Sequence, residues 1–272
     1  MVGQGVHPSP APYNRGMSEA VNEQPARRPR RKRVTVVGVL GEVLMTGGVI
    51  VLLFLGWQLW FNNLVSSNEQ RSVADDLSEE WAQAPTETET ALPMEPVDPG
   101  IPAITAAPVA NQAFANLIVP RLGADFKRPI AEGVGTAVLD STKLGMGHYS
   151  NTQLPGELGN FALASHRSAY GGAFHNIHQL VVGDAIYVET VDGWYKYIYR
   201  SMEYVRSSGV GVILPVPQDP TAVPTESIIT LTTCNPFYSS AERIIAYGVF
   251  DSWYPRAGGP PAEIAAIATV VA

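Results

Sequence analysis

The chain contains one unbroken apolar run, which covers residues 34–61 and has Glu42 as its single charge. About 20 apolar residues in a helix suffice to cross the hydrocarbon core of a membrane. Trp57 and Trp60 stand near the far end of the run, where interfacial aromatic side chains are expected. We therefore predict a transmembrane anchor over residues 34–61. A cleaved signal peptide is the alternative, but the run is long for one and lacks a clear small-residue cleavage site.

A second pattern, in which apolar and polar positions alternate, covers residues 114–254. Within it, two strand-like segments flank Asp192-Gly193, a pair typical of β-hairpin turns. Many short strands with few helices indicate a sandwich or a barrel. The predicted elements are strands at residues 161–165, 186–189, 194–205, 228–233 and 243–250, and one short helix near residues 174–180.

The remaining segments lack this alternation. Residues 1–33 predict a disordered basic tail, and residues 255–272 predict a disordered end with too few apolar positions to span a bilayer. Residues 62–113 predict an acidic, Pro-rich spacer whose first part favours a short helix. Six prolines between Pro85 and Pro108 make the rest extended, so the spacer would hold the β-domain away from the membrane.

Charge is distributed unevenly along the chain. Residues 1–33 carry seven basic and two acidic side chains, whereas residues 62–113 carry nine acidic and one basic. A basic head on an acidic body argues against nucleic acid as a partner. The positive-inside rule places the basic tail in the cytoplasm, so the predicted β-domain lies outside the cell.

Cys234 is the one cysteine of the chain and therefore has no internal disulfide partner. A free thiol in an exported protein is exposed to oxidants, which favours a chemical role. Cys234 follows a predicted strand, and the next predicted strand begins at Arg243. If these strands are antiparallel neighbours, the guanidinium of Arg243 returns close to the thiol, where it would favour an anionic sulfur or an oxyanion. A solvated charge at a strand start is an equally open interpretation of Arg243.

The histidines of the β-domain offer several partners for a thiol. His166 ends a predicted strand, a position typical of a structural residue but also suited to catalysis. His175 and His178 are spaced as neighbours on a helix face, yet no third metal ligand is evident nearby, so the sequence predicts no metal site. His148 lies in a Gly-rich loop and is open to both interpretations.

Two segments resemble the sortase family of cysteine transpeptidases. Leu231-Thr232-Thr233-Cys234-Asn235-Pro236, followed by Arg243, resembles the sortase cysteine signature, and residues 159–167 resemble the segment that carries the sortase histidine. The resemblance covers residues 114–254 and is strongest to class E, through residues 147–156. One departure is Ser165, where a glycine before the histidine is common in the family.

The resemblance implies an all-β fold, a closed eight-stranded sortase-like β-barrel with short helices behind one N-terminal transmembrane helix. It also implies Cys234 as nucleophile, His166 as general acid and base, Arg243 as oxyanion or substrate ligand, and no cofactor. The implied reaction cleaves a Leu-Ala-x-Thr-Gly or Leu-Pro-x-Thr-Gly sorting signal between Thr and Gly through a thioacyl-enzyme. The implied partners are secreted proteins with a C-terminal sorting signal, and a peptidoglycan precursor or a pilin amine as acceptor.

Tyr149 is a candidate for shaping the preference for the sorting signal, although a surface aromatic is an equally open interpretation. Two other functions remain as alternatives. Another cell-wall cysteine transpeptidase, of the L,D-transpeptidase type, would carry Ser-His-Gly-Cys in one short run, whereas His166 and Cys234 lie far apart here. A non-catalytic, membrane-tethered β-domain that binds peptide or wall polymer would keep Cys234 buried and inert.

Overall fold

The protein is described by a computed structural model over residues 35–83 and 101–268, without the side chains of residues 59 and 60. The predicted tail over residues 1–33 lies outside the described residues, as do residues 84–100 of the predicted spacer. The N-terminal helices are α1, Val36–Gly56, and α2, Asn62–Gln83, joined by a π-helical segment, Trp57–Phe61.

Helix α1 is 21 residues long, and every one of its side chains is exposed. By length and composition it is able to cross a membrane. The structure thus contains one apolar N-terminal helix that is consistent with a single-pass membrane anchor.

Eight strands close into a barrel, as the family resemblance implies. Around the barrel their order is β1-β2-β3-β4-β7-β8-β6-β5. Neighbouring strands are antiparallel except β2 with β3 and β4 with β7, which are parallel. The strands are β1 Ala113–Ile118, β2 Lys127–Glu132, β3 Met146–His148, β4 Gly159–Ser165, β5 Ala185–Glu189, β6 Gly193–Arg206, β7 Ser227–Asn235 and β8 Glu242–Pro255.

Short helical segments connect the strands. The α-helical turns are α3, Thr136–Leu139, and α4, Ala265–Ala268. The 3-10 turns are Pro120–Leu122, Ile177–Gln179, Val210–Ile213, Arg256–Gly258 and Ala262–Ile264. The helix predicted near residues 174–180 is therefore a single 3-10 turn.

The predicted hairpin is formed by β5 and β6, with Glu189 opposite Trp194. Alternation along β6 sends Tyr195 and Tyr197 into the barrel core, while Trp194 packs in a separate apolar cluster. The turn requires glycine at Gly193, because a Cβ there would lie 2.1 Å from the Tyr254 carbonyl oxygen.

Helix α2 packs against the barrel, so residues 62–83 of the predicted spacer form a docked helix instead of a free linker. Its buried residues follow a spacing of four and are mostly polar: Ser66, Gln70, Ala74 and Ser78. Ser78 Oγ donates to Glu189 Oε2 at 2.6 Å, and Asn116 Nδ2 donates to the Ala74 carbonyl at 2.9 Å. Polar docking of this kind leaves no apolar stripe in the sequence, so the segment looks like a solvated spacer.

A buried ionic cluster joins α2, the barrel and the C-terminal segment. Lys127 Nζ is fully buried and lies 3.1 Å from Asp75 Oδ1 and 3.9 Å from Glu189 Oε2. Arg256 Nη2 lies 3.2 Å from Glu189 Oε1, and the guanidinium carbon of Arg256 lies 4.6 Å from the centre of the Trp194 ring. Removing one charge would leave another buried without its partner, which is costly.

The C-terminal segment corrects a second prediction, that residues 255–272 are disordered. Pro255 ends β8, and residues 256–268 form helical turns on the outside of the barrel. Ile264 and Ile267 are buried against Ile118 and Trp194. The partners of these two isoleucines come from distant strands, so local sequence could not reveal them. Residues 269–272 lie outside the described residues.

Candidate active site

Cys234 is the second-last residue of β7, and its thiol is free and half-buried. The two threonines before it bind the neighbouring parallel strand. Thr232 Oγ1 donates to the Leu163 carbonyl at 3.0 Å, and Thr233 Oγ1 donates to the Ser165 carbonyl at 2.8 Å. Side chain to backbone bonds therefore fix the approach of β7 to β4 immediately before the thiol.

Arg243 is the residue directly opposite Cys234 in the antiparallel pairing of β7 with β8. This is the neighbourhood that the strand–loop–strand pattern predicts. The guanidinium is half-buried, and its Nη1 donates to the Ser240 and Glu242 carbonyls, both at 2.9 Å. The loop between the two strands thus fixes the guanidinium beside the strand that carries the thiol.

His166 follows the last residue of β4, the strand parallel to β7. In that pairing Ala164 lies beside Thr232. Continuing the register by two residues brings His166 to the level of Cys234. The end of β7 therefore has His166 at its β4 side and Arg243 at its β8 side.

Asp140 and Tyr170 hold the imidazole of His166. The Nε2 atom lies 2.8 Å from Asp140 Oδ1, and the side chains of His166 and Asp140 are 31% and 37% exposed. The Tyr170 ring lies 5.3 Å from the imidazole, centroid to centroid. Because Asp140 occupies Nε2, Nδ1 is the ring nitrogen left for other partners. No local pattern points to Asp140, which is separated from His166 by 26 positions.

Tyr149 is half-buried and contacts β7 through Thr232, with its hydroxyl 3.1 Å from Thr232 Oγ1. The Thr232 proton is already donated to the Leu163 carbonyl, which accepts only. The Tyr149 hydroxyl must therefore be the donor. This bond connects Tyr149 to Thr232, which is two residues before Cys234 in β7.

Arg167 links the segment after His166 to the segment after Cys234, a role that sequence reasoning missed. It is 7% exposed, and its Nη1 donates to Asn235 Oδ1. Its guanidinium carbon lies 4.1 Å from the centre of the Phe237 ring. The position of Arg167 directly after His166 is the one sequence feature that could have pointed to it.

Helix α2 contacts the loop that follows His166. Asn63 Nδ2 donates to the Ser168 carbonyl at 3.1 Å, and Gln70 Nε2 donates to the Tyr170 carbonyl at 2.8 Å. Tyr170 has φ 48°, in the left-handed region that few non-glycine residues adopt. The helix thus supports a strained backbone next to the imidazole.

The other histidines of the β-domain lie in different surroundings. His148 is buried, with Nδ1 2.6 Å from Glu132 Oε2 and Nε2 3.1 Å from the Gln153 carbonyl, which is a structural arrangement. The His175 ring packs against Phe237 at 4.7 Å. Within residues 35–83 and 101–268, no three His, Cys, Asp or Glu side chains are grouped to hold a metal ion.

Comparison with known proteins assigns this chain to a family. A family model for the sortase domain matches residues 117–251. Sortase SrtE1 of Streptomyces coelicolor is 35% identical over 250 residues, which cover 89% of this chain and 65% of the relative. This chain therefore spans slightly less than two thirds of the length of that relative. Sortase SrtE2 of the same organism is 29% identical over 232 residues, covering 82% of this chain and 85% of SrtE2.

Solved structures give the same result. The SrtA sortase from Actinomyces oris is 38% identical, with a TM-score of 0.56, and the match covers 60% of this chain and 93% of that one. Sortase E1 from Streptomyces coelicolor, solved with a tripeptide in its active site, is 38% identical with a TM-score of 0.53, covering 58% of this chain and 99% of that one.

Proposed function

Because this chain belongs to the sortase family of cysteine transpeptidases, we propose that it is a membrane-anchored sortase of class E type that cuts a sorting signal and transfers the new end to a surface amine. One observation carries the proposal. Cys234 and Arg243 are paired residues of β7 and β8, and His166 follows the adjacent strand at the same level.

In the first half-reaction, the Cys234 thiolate attacks the carbonyl carbon of the Thr–Gly bond of a Leu-Ala-x-Thr-Gly or Leu-Pro-x-Thr-Gly signal. The C–S bond forms as Arg243 stabilises the tetrahedral oxyanion. The C–N bond then breaks, and the imidazolium of His166 gives its proton to the departing glycine amine. A thioacyl-enzyme remains.

In the second half-reaction, an amine attacks the thioacyl carbonyl. His166 accepts the proton that the amine loses, the C–S bond breaks, and the Cys234 thiolate is released. The scheme predicts ping-pong kinetics. A peptidoglycan precursor or a pilin amine would serve as the acceptor, since both are available on the outer face of the cell membrane.

Three further side chains support this scheme without taking part in bond changes. Asp140 would keep the His166 ring oriented through the contact with Nε2. Tyr149, fixed to Thr232, would shape the groove for the residue after the signal leucine. Arg167 would keep Asn235, and with it the end of β7, in place.

The anchor fits this chemistry because a membrane-held signal protein and a wall precursor are confined to one surface. The basic residues 27–33 precede α1 and acidic residues follow it, so the positive-inside rule puts the N-terminus in the cytoplasm and the barrel outside.

The test is to incubate the full chain, in uncharged detergent micelles, with fluorogenic Leu-Ala-x-Thr-Gly and Leu-Pro-x-Thr-Gly peptides and an excess of a triglycine amine. We expect a thioester on Cys234 by mass spectrometry, followed by an amide-linked product. The matched controls are Cys234→Ala and peptides in which alanine replaces the signal threonine.

Hydrolysis without transfer to the amine would indicate a peptidase. Absence of the thioester, together with an alkylation-resistant thiol in the folded chain, would favour a tethered binding domain instead.

A further inference from the structure

A cavity of about 320 Å³ lies between the start of α2, strand β2 and the loop that follows His166. Its wall is mixed: leucine, alanine, glycine and aromatic residues form one part, and polar residues form the other. The polar residues of the wall are Asn63, Ser67, Arg128, Ser168, His175 and Asn176. This cavity is distinct from the strand ends that carry Cys234 and Arg243.

Arg128 brings a positive charge into the cavity wall without a matching negative charge. Its Nη1 donates to the Lys127 carbonyl at 2.9 Å and its Nη2 to Ser67 Oγ, while Nε is buried with no hydrogen-bond partner among the described residues. Within that part of the chain no carboxylate forms an ion pair with Arg128.

The surroundings of Arg128 strengthen this imbalance. Burial lowers the pKa of its guanidinium to about 10; the charge of Asp125 opposes the shift and the charge of Arg71 adds to it. The side chain of Asp125 is exposed to solvent. A largely desolvated cation whose nearest named counter-charge is solvated is costly, and a bound anion would remove much of that cost.

The position of the cavity along the chain favours an anion at the membrane surface. Asn63 follows the last residue of α1, Gly56, by seven positions of continuous helix. At a rise of about 1.5 Å per residue, this is roughly 10 Å. Lipid headgroups extend about 5–8 Å beyond each face of the hydrocarbon core. With α1 in a bilayer, the residues of α2 that line the cavity begin about 10 Å along the chain from the end of α1, close to the headgroup region.

We propose that this cavity binds the phosphate group of a membrane lipid. The planar guanidinium of Arg128 suits two phosphate oxygens, and the serine hydroxyls and amides of the wall suit the others. The proposal is independent of the transpeptidase chemistry. A lipid in this cavity would nevertheless affect the reaction. Ser168 in the cavity wall is two residues from His166, so the bound lipid would contact the loop that holds the imidazole.

The test uses the full chain in uncharged maltoside micelles, which contain no phosphate. Calorimetric titration compares a short-chain phosphatidic acid, inorganic phosphate, and the diacylglycerol of the same chain length. We expect the phosphatidic acid to bind most tightly. Arg128→Gln should weaken it about 10- to 100-fold, the range for loss of a charge-assisted hydrogen bond.

The matched control is Arg200→Gln, at a surface arginine whose side chain is 60% exposed, which should bind normally. Asn176→Asp places a negative charge in the wall with little effect on packing, and it should also weaken binding; it decides the matter if Arg128→Gln does not fold. Equal affinities in the Arg128, Asn176 and Arg200 variants would overturn the site. Inorganic phosphate or diacylglycerol binding as tightly as phosphatidic acid would overturn the lipid-phosphate assignment.

Discussion

Gln70 gives the sharpest test of whether helix α2 positions the loop beside His166. Its side chain is fully buried and donates to the Tyr170 carbonyl at 2.8 Å. Gly145 and Gly171 leave room for it, since a Cβ at these positions would lie 2.1 Å and 2.8 Å from the Gln70 amide. We expect Gln70→Met, which keeps the unbranched shape but removes the amide, to free this loop while leaving the barrel closed.

The magnitude follows from the bond that is lost. A typical internal hydrogen bond contributes about 1 kcal/mol net. Because the Tyr170 carbonyl is only partly buried, water can replace the lost donor, so we expect a cost of about 1 kcal/mol, or roughly fivefold in an equilibrium constant. Tyr170 relaxes most readily, because its left-handed backbone is strained and its carbonyl is the group that loses its donor.

Two measurements separate positioning from general stability. Amide hydrogen exchange of residues 168–172 should accelerate by roughly that factor, and the rate of thioester formation on Cys234 should fall by more than the folded fraction does. Gln83→Met, an exposed glutamine in the same helix, is the matched control and should change neither. If Gln70→Met lowers the melting temperature while peptide cleavage per folded molecule stays normal, α2 stabilises the domain without positioning the site.

Three further predictions concern the strand ends and the core. Thr233→Val removes the bond to the Ser165 carbonyl and should cost about 1–3 kcal/mol in urea unfolding; an unchanged midpoint would show that β4 and β7 do not depend on it. Arg167→Lys loses the planar guanidinium, so thioester formation should fall about tenfold or more while Arg200→Lys stays normal; equal rates would refute the linking role. Burial raises the pKa of Tyr197 to about 12, above the unfolded value of about 10. The contribution of this neutral phenol to the free energy of unfolding is therefore complete below pH about 10, and it is lost as the pH rises from there to about 12. Urea unfolding followed across that range should show the loss, and a smaller loss in Tyr197→Phe; identical slopes would contradict it.

Local pattern was sufficient for strands β4 to β8, but not for β1 to β3 or for the elements that pack on the barrel. The hairpin of β5 and β6 is visible because alternation and the turn residues agree. Helix α2 is hidden because its buried face carries Ser66, Gln70 and Ser78, which satisfy polar groups of the barrel instead of adding apolar contacts. The segment after β8 is hidden because Ile264 is buried against residues of β5 and β6 that lie seventy or more positions away in sequence.

The candidate site divides in the same way. Cys234 and Arg243 are close because one loop joins two antiparallel neighbours, a local relation that the sequence expresses. The approach of His166 depends on the parallel pairing of β4 with β7, whose residues are separated by 68 positions. No local signal specifies such a pairing, so only the family resemblance anticipated it. Neither local pattern nor the family resemblance pointed to Asp140.

The contacts around His166 also show that helix α2 is part of the support of the candidate site. Helix α2 donates hydrogen bonds to the carbonyls of Ser168 and Tyr170, in the loop that follows His166. A linker without such contacts would leave this loop unconstrained. A change in the packing of α2 therefore changes the supports of Ser168 and Tyr170, and with them the surroundings of the imidazole.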